Sequence, residues 1–184
     1  MDKTSRTEMH RTFLIEGLPD PLTRASAHIQ IFDNYIPETR LRIRSVRNPE
    51  TADWTRILQQ HLLVSESLAC IKISEIYLND AKYARFAMFE GEEIRKNRYF
   101  HEVDGRMFAF DVFLGKLWGL NMARVEFDAT DDLENFEPPS FAVLEVTNNR
   151  FFQGSSLVMK NFDDVRAEVM RSSEQMEVEK VMDE

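Results

Sequence analysis

In the stretch Thr39-Arg40-Leu41-Arg42-Ile43-Arg44, charged and aliphatic residues alternate from Arg40 onward. Successive side chains of a β-strand point to opposite faces, so a strand here carries three arginines on one face and two aliphatic residues on the other. Three guanidinium groups repel one another unless water or an anion lies among them. Two interpretations follow. The face is either the solvated side of an antiparallel sheet or a wall that binds phosphate, whose oxygens match the guanidinium fork.

The composition limits the classes of function. The chain has 184 residues, which suits one domain, and 23 basic against 32 acidic residues give a net charge of −9. This charge disfavours a general nucleic-acid surface, although a basic site can lie inside an acidic shell. The single cysteine cannot form an internal disulfide. No apolar run is long enough to span a membrane and residues 1–11 lack a signal-peptide core, so we expect a cytoplasmic protein without a membrane partner.

The same alternation recurs along the chain. It predicts strands at residues 7–16, 27–36, 39–44, 53–61, 67–77, 93–101, 106–114, 121–128 and 140–147. Asp104-Gly105 is typical of a tight hairpin turn. The pattern, with few helices and no βαβ alternation, indicates an α+β protein with about eight mostly antiparallel strands, which most naturally close into a β-barrel.

Helices are predicted at three places. Asn79 or Asp80 can cap a short helix that runs to about Phe89, and residues 130–135 can form one helical turn. A C-terminal helix covers residues 161–184, which contain no Gly or Pro. We therefore expect a barrel domain at 1–160 and a helical extension at 161–184, and the sequence does not indicate the oligomeric state.

Polar residues opposite the apolar strand faces form a mixed set of cations, carboxylates and one histidine. They are Glu8, His10, Arg40, Arg42, Arg44, Lys96, Arg98, Asp111, Arg124, Glu126 and Glu145. Taken alone, each of these residues or neighbouring pairs is typical of a solvated surface. Together inside a barrel, the cations would bind a polyanion and the carboxylates would hold a hard divalent metal through oxygen.

Six landmarks in order carry a resemblance to a known family. They are FLIEGLP (13–19), RLRIR (40–44), IRKNRYF (94–100), FDVFLGKLWGL (110–120), ARVEF (123–127) and PPSFAVLEVT (138–147). From about residue 8 to about residue 160 the chain resembles a CYTH domain of the triphosphate tunnel metalloenzyme superfamily. That superfamily includes adenylate cyclases of one class, thiamine triphosphatases and inorganic tripolyphosphatases. The resemblance implies a closed eight-stranded barrel whose lumen binds a triphosphate with a divalent metal.

The resemblance also implies roles for individual residues. Phosphate would be bound by Arg40, Arg42, Lys96 and Arg98. Mg or Mn would be held by Glu8, Asp111 and Glu126, of which Glu8 and Glu126 would also be catalytic and orient the attacking water. Arg44 lies outside the matched pair, and we expect it to be solvated.

The acidic motifs of the family are only partly present in this chain. The family's Glu-x-Glu-x-Lys reads Glu8-x-His10-x-Thr12 here, and its late Glu-x-Glu reads Arg124-x-Glu126. His10 could still coordinate Mn as a neutral imidazole, whereas Arg124 stays charged and cannot. Three hypotheses stay open: a metal-dependent triphosphatase, a non-catalytic anion-binding or regulatory protein, and a scaffold whose C-terminal helix binds a partner.

Overall fold

Eight antiparallel strands form a closed barrel in the computed structural model, which describes residues 3–64, 66–86, 88, 89 and 91–182. They are β1 (Lys3–Leu14), β2 (Ile29–Tyr35), β3 (Leu41–Arg47), β4 (Trp54–Leu63), β5 (Cys70–Leu78), β6 (Glu92–Val103), β7 (Arg106–Phe113) and β8 (Asn121–Phe127). Their order is β5-β4-β3-β2-β6-β7-β8-β1, and pairing of β1 with β5 closes the barrel. The predicted fold class is confirmed.

The turn between β6 and β7 shows how local sequence sets the strand register. Asp104 and Gly105 have φ angles of 51° and 75°, as a type I′ turn requires. This turn aligns the two strands so that Arg98 lies opposite Asp111. A two-residue hairpin signal therefore brings a predicted cation next to a predicted carboxylate.

The predicted strand at 140–147 is wrong in its extent. Only β9 (Leu144–Glu145) pairs as a strand, next to Phe13 and Leu14 of β1. Pro138 and Pro139 lack the N–H groups that a sheet needs. The segment instead turns over the barrel, where the ring of Phe141 packs edge-on against those of Phe108 and Phe110.

In the described part of the chain, four α-helices flank the barrel. They are α1 (Asp80–Phe86), α2 (Thr130–Glu134), α3 (Gly154–Leu157) and α4 (Phe162–Met182). The backbone N–H of Lys82 donates to Asn79 Oδ1 at 2.9 Å, and Asn161 Oδ1 accepts from Asp163 and Asp164, so the predicted caps are present. Ala87 and residues 183–184 of the predicted helices lie outside the described residues.

Two apolar cores lie on either side of the wall that β1, β6, β7 and β8 form. The outer core consists of Phe13, Ile15, Tyr99, Phe108, Phe110, Val112, Ala123, Val125 and Phe127. The inner core lies at one end of the barrel and consists of Leu14, Ile94, Phe113, Leu117, Leu120, Met122, Leu144, Val146, Phe152, Leu157, Val158 and Val165. Val165 belongs to α4, so this helix begins packed against the barrel end. Within the described chain, no helix has the length and apolarity needed to cross a membrane.

Candidate functional site: a basic barrel lumen

The lumen is a cavity of about 680 Å³ to which all eight strands contribute side chains. All seven predicted site residues line it: Glu8, Arg40, Arg42, Lys96, Arg98, Asp111 and Glu126. His10, Arg44 and Arg124 line it as well. Residues 146–157 complete the lining at the end where the inner core packs.

Asp33 on β2 joins two arginines of β3 into one buried unit. Arg44 donates from Nε and Nη2 to the two carboxylate oxygens at 2.7 Å each, and Arg42 Nη1 lies 3.5 Å from Oδ2. Burial opposes ionisation of Asp33, but the two guanidinium groups outweigh burial and hold its pKa well below its usual range. Arg42 is also fixed by Gln59 Oε1 at 2.7 Å and the Tyr35 hydroxyl at 3.1 Å.

Asp111 on β7 forms a second unit with two cations of β6. Lys96 Nζ donates to Oδ2 at 2.6 Å, and Arg98 donates from Nε to Oδ1 at 2.7 Å and from Nη2 to Oδ2 at 2.8 Å. Burial lowers the pKa of Lys96 to about 8, with Asp111 opposing the shift, so the amine is mostly protonated at neutral pH. Burial opposes ionisation of Asp111, but Arg98 and Lys96 hold its pKa well below its usual range.

Glu8 on β1 forms a third unit with Arg6 and Arg124. Arg6 Nη2 donates to Oε2 at 2.8 Å, and Arg124 Nη2 contacts Oε1. Arg6 Nη1 also lies 3.2 Å from Glu75 Oε1. Both oxygens of Glu8 are therefore engaged by cations from its own strand and from β8.

Two histidines face the lumen in the neutral state. Burial lowers the pKa of His10 to about 4, although Glu126 opposes the shift. Burial, together with Arg42 and Arg44, lowers the pKa of His61 to about 2. His61 Nε2 lies 3.1 Å from Arg42 Nη2 and, as a neutral imidazole nitrogen, accepts its hydrogen bond. His10 Nδ1 is buried without a hydrogen-bond partner.

The charge of the lumen is opposite in sign to that of the whole chain. Seven cations line the cavity, namely Arg6, Arg40, Arg42, Arg44, Lys96, Arg98 and Arg124, against the four carboxylates Glu8, Asp33, Asp111 and Glu126. The lining residues thus carry a surplus of three positive charges in a protein of net charge −9. A basic, low-dielectric cavity attracts small multivalent anions.

Two expectations from the sequence need correction. Arg44 is not solvated, because its side chain is only 14% exposed and pairs with Asp33 inside the barrel. Glu145 does not line the cavity but accepts from Arg11 Nε at 2.9 Å on the other side of the wall. It sits on the two-residue strand β9, where the predicted long strand and its alternation do not exist.

Sequence reasoning missed several lumen residues. Asp33, Gln59 and His61 lie in strands that were predicted. Asp33 and Gln59 each follow a buried isoleucine, Ile31 or Ile57, by two residues and so share its strand face, and this spacing was an available signal. Arg6 lies before the predicted start of β1 at residue 7, whereas the strand begins at Lys3.

The donor set does not fit a divalent metal held by protein carboxylates. Of the three predicted ligands, Glu8 and Asp111 have both oxygens hydrogen-bonded to cations, which compete with a metal for the same lone pairs. Across residues 3–64, 66–86, 88, 89 and 91–182, no group of three or more His, Cys, Asp or Glu side chains is placed to hold a metal ion. Glu126 is the one predicted ligand that is solvent-exposed.

Comparison with known proteins agrees with this architecture. No family model matches the chain. The chain is 28% identical over 160 residues to the inorganic triphosphatase of Nitrosomonas europaea, an alignment that covers 83% of this chain and 97% of that protein.

Solved structures show the same barrel. The crystal structure of the inorganic triphosphatase NE1496 superposes with a TM-score of 0.57 at 25% identity, covering 83% of this chain and 95% of that one. A second crystal structure, of the hypothetical protein NE1496, gives a TM-score of 0.58 at 23% identity, covering 84% and 99%. The predicted resemblance to the triphosphate tunnel superfamily is confirmed.

Proposed function

We propose that this protein binds a triphosphate in the barrel lumen and hydrolyses it. The observation that carries the proposal is the ring of seven lumen cations inside a barrel similar to that of an inorganic triphosphatase. A triphosphate is a small multivalent anion with oxygens on every phosphorus, and it matches a cavity lined by guanidinium groups on several strands. Among the described residues that line the lumen, none forms an evident pocket for a nucleoside base, so inorganic tripolyphosphate is the first substrate to test.

The buried carboxylates set the geometry of the cations. Arg44 and Arg98 each give Nε and Nη2 to a carboxylate, and the Nη1 group of each guanidinium can then donate to a phosphate oxygen. Arg42 and Lys96 are fixed by the same two carboxylates. Cations held in place before the substrate arrives stabilise the charge that develops as the phosphorus–oxygen bond breaks.

Glu126 is the better of the two predicted catalytic carboxylates. Glu8 is neutralised by Arg6 and Arg124, whereas Glu126 is exposed, lines the cavity and lies opposite His10 across the strand pair. In hydrolysis the attacking water gives up a proton as its oxygen bonds to the terminal phosphorus and pyrophosphate leaves. Glu126 would orient that water and accept the proton.

Phosphate release tests the proposal directly. Tripolyphosphate, ATP and thiamine triphosphate are each incubated with the protein in Mg, in Mn and in chelator. Arg98→Ala should lower turnover by about 100-fold because it removes a fixed donor from the developing charge. Arg95→Ala is the matched control, since Arg95 lies on the same strand with its side chain 62% exposed and should leave turnover unchanged. Absence of release from all three substrates would refute hydrolysis.

A second candidate is a non-catalytic anion-binding protein. The observation that favours it is that three of the four lumen carboxylates are paired with cations. Calorimetry separates the two candidates. Salt-sensitive binding of tripolyphosphate without phosphate release under any metal condition would establish binding alone.

A further inference from the structure

The position of Arg124 is the main departure of this lumen from the family that it resembles. The resemblance expects a carboxylate there, as a second ligand for a divalent metal. Arg124 lines the cavity and contacts Glu8, one of the three carboxylates expected to hold the metal. A fixed positive charge therefore lies where the family pattern places a negative one.

Glu8 holds Arg124 in place. Arg6 binds the other oxygen of Glu8 at 2.8 Å and also contacts Glu75, so the carboxylate is tethered on its own strand. Arg124 uses Nη2 for Glu8, and Nε and Nη1 of its guanidinium remain chemically able to donate. The Glu8 carboxylate thus orients Arg124 through one guanidinium nitrogen, whereas Asp33 and Asp111 orient Arg44 and Arg98 through two.

A second observation at the same place points to a ligand. His10 lies between Glu8 and Thr12 on β1, is 6% exposed and lines the cavity. Its Nδ1 atom is buried and has no hydrogen-bond partner, and the nearest carboxylate oxygen, Glu8 Oε1, is 3.9 Å away. A buried polar atom without a partner costs free energy, which a bound anion or its water would recover.

We propose that Arg124 is a phosphate-binding residue that supplies the positive charge expected from a metal, so that this lumen binds a triphosphate without a divalent cation. Glu8 acts as the positioning residue for Arg124 and not as a metal ligand. This inference rests on the proposed function, because it requires a triphosphate in the lumen. It concerns binding, and its test does not depend on turnover.

Calorimetry with tripolyphosphate as the probe tests the inference at constant ionic strength, in chelator and in Mn. Wild-type protein should bind in chelator, with little gain from Mn. Arg124→Ala should weaken binding in chelator by about 10- to 100-fold, the loss expected for a charge-assisted contact. Arg106→Ala is the matched control and should bind as the wild type does, because the Arg106 guanidinium packs over Phe127 of the outer core and does not line the lumen.

Charge reversal gives the sharper result. Arg124→Glu places a carboxylate near Glu8 and Glu126, so binding in chelator should be lost and should return when Mn is added. Arg124→Lys keeps the charge and serves if the other variants do not fold; it should retain binding in chelator with reduced affinity.

Each outcome has one meaning. Wild-type binding that requires Mn or Mg, or Arg124→Ala and Arg124→Lys proteins that bind in chelator like the wild type, would overturn the inference while the proposed function stands. Absence of tripolyphosphate binding under every condition would overturn the proposed function itself.

Discussion

On strand β7 the two faces of the barrel wall are both buried, and they are chemically opposite. On β7, Phe110 points to the outer core and is 0% exposed, while Asp111 points into the lumen and is 5% exposed. The outer face is held by apolar packing, whose strength depends on volume. The inner face is held by ion pairs between carboxylates and cations. These ion pairs stabilise the fold only when every buried charge keeps its partner. Burial alone therefore does not distinguish the structural face from the functional one.

We expect the largest losses of stability from one substitution on each face of the wall. Asp33→Ala leaves two buried guanidinium groups without their carboxylate and should lower the free energy of unfolding by about 3–5 kcal/mol. Phe110→Ala leaves a cavity in the outer core and should lower it by a similar amount, about 3–5 kcal/mol. Urea denaturation measures both.

Added tripolyphosphate separates the two variants. The anion should replace the missing charge of Asp33 and raise the unfolding midpoint of Asp33→Ala more than that of the wild type. Tripolyphosphate should raise the unfolding midpoint of Phe110→Ala by no more than it raises the midpoint of the wild type. Equal shifts for both variants would contradict the assignment of Arg42 and Arg44 to the ligand site.

The next effect compares two arginines at the start of the same strand. Arg42 is fixed by Gln59, Asp33 and Tyr35, whereas Arg40 is exposed and precedes β3. Arg42→Ala should weaken tripolyphosphate binding by about 2–3 kcal/mol and Arg40→Ala by about 1 kcal/mol or less. Calorimetry at two salt concentrations measures this difference, and equal losses would contradict it.

Because of the two lumen histidines, we expect the stability of the inner face to depend on pH, unlike that of the apolar outer face. Their folded pKa values, about 4 for His10 and about 2 for His61, lie below the unfolded value of 6.5. The unfolded chain therefore binds more protons as the pH falls below 6.5, and stability decreases. Between pH 6.5 and pH 5, protonation of each histidine in the unfolded chain should lower the free energy of unfolding by about 2 kcal/mol.

His61→Gln tests this assignment, because its amide can accept a hydrogen bond without titrating. Denaturation at pH 7 and pH 5 should show a smaller loss for the variant than for the wild type. Asp33 and Asp111 do not contribute in this window, since carboxyl groups take up protons in the unfolded chain only near and below pH 4. An unchanged loss in His61→Gln would show that His61 is not the group responsible.

The smallest effect belongs to an ion pair outside the lumen. Arg11 and Glu145 pair on the outer side of β1, and Arg11→Ala should lower the free energy of unfolding by about 1 kcal/mol or less. Tripolyphosphate affinity should not change. A loss of affinity would mean that charges outside the lumen contribute to recognition.

Alternation in the sequence predicted which residues face the lumen. The face on which a residue lies depends only on its odd or even position along the strand, and a small error in the strand limits does not change it. Lys96, Arg98 and Asp111 line the cavity although both limits of β6 and the end of β7 were predicted one or two residues away from their positions in the structure. The prediction failed for Glu145, because the strand there has only two residues and Glu145 lies opposite Phe13, a residue of the outer core.

The pairing of charges could not be predicted from single strands. Asp33 binds Arg44 because the β2–β3 register places them opposite each other, and that register depends on backbone geometry across the hairpin. Arg124 lies opposite Thr12, yet its guanidinium reaches Glu8. Such a contact depends on side-chain direction, which alternation does not specify.

Strand β1 also has a consequence for the order in which the barrel can assemble. It pairs with β5 through Lys3 and Ile76, and with β8 through Met9 and Phe127, so its partners are synthesised long after it. Even after β5 is available to pair with one edge of β1, the other edge remains unpaired until β8 has left the ribosome. We therefore expect slow, late closure of the barrel, with the ribosome-bound chain most prone to aggregate before that step.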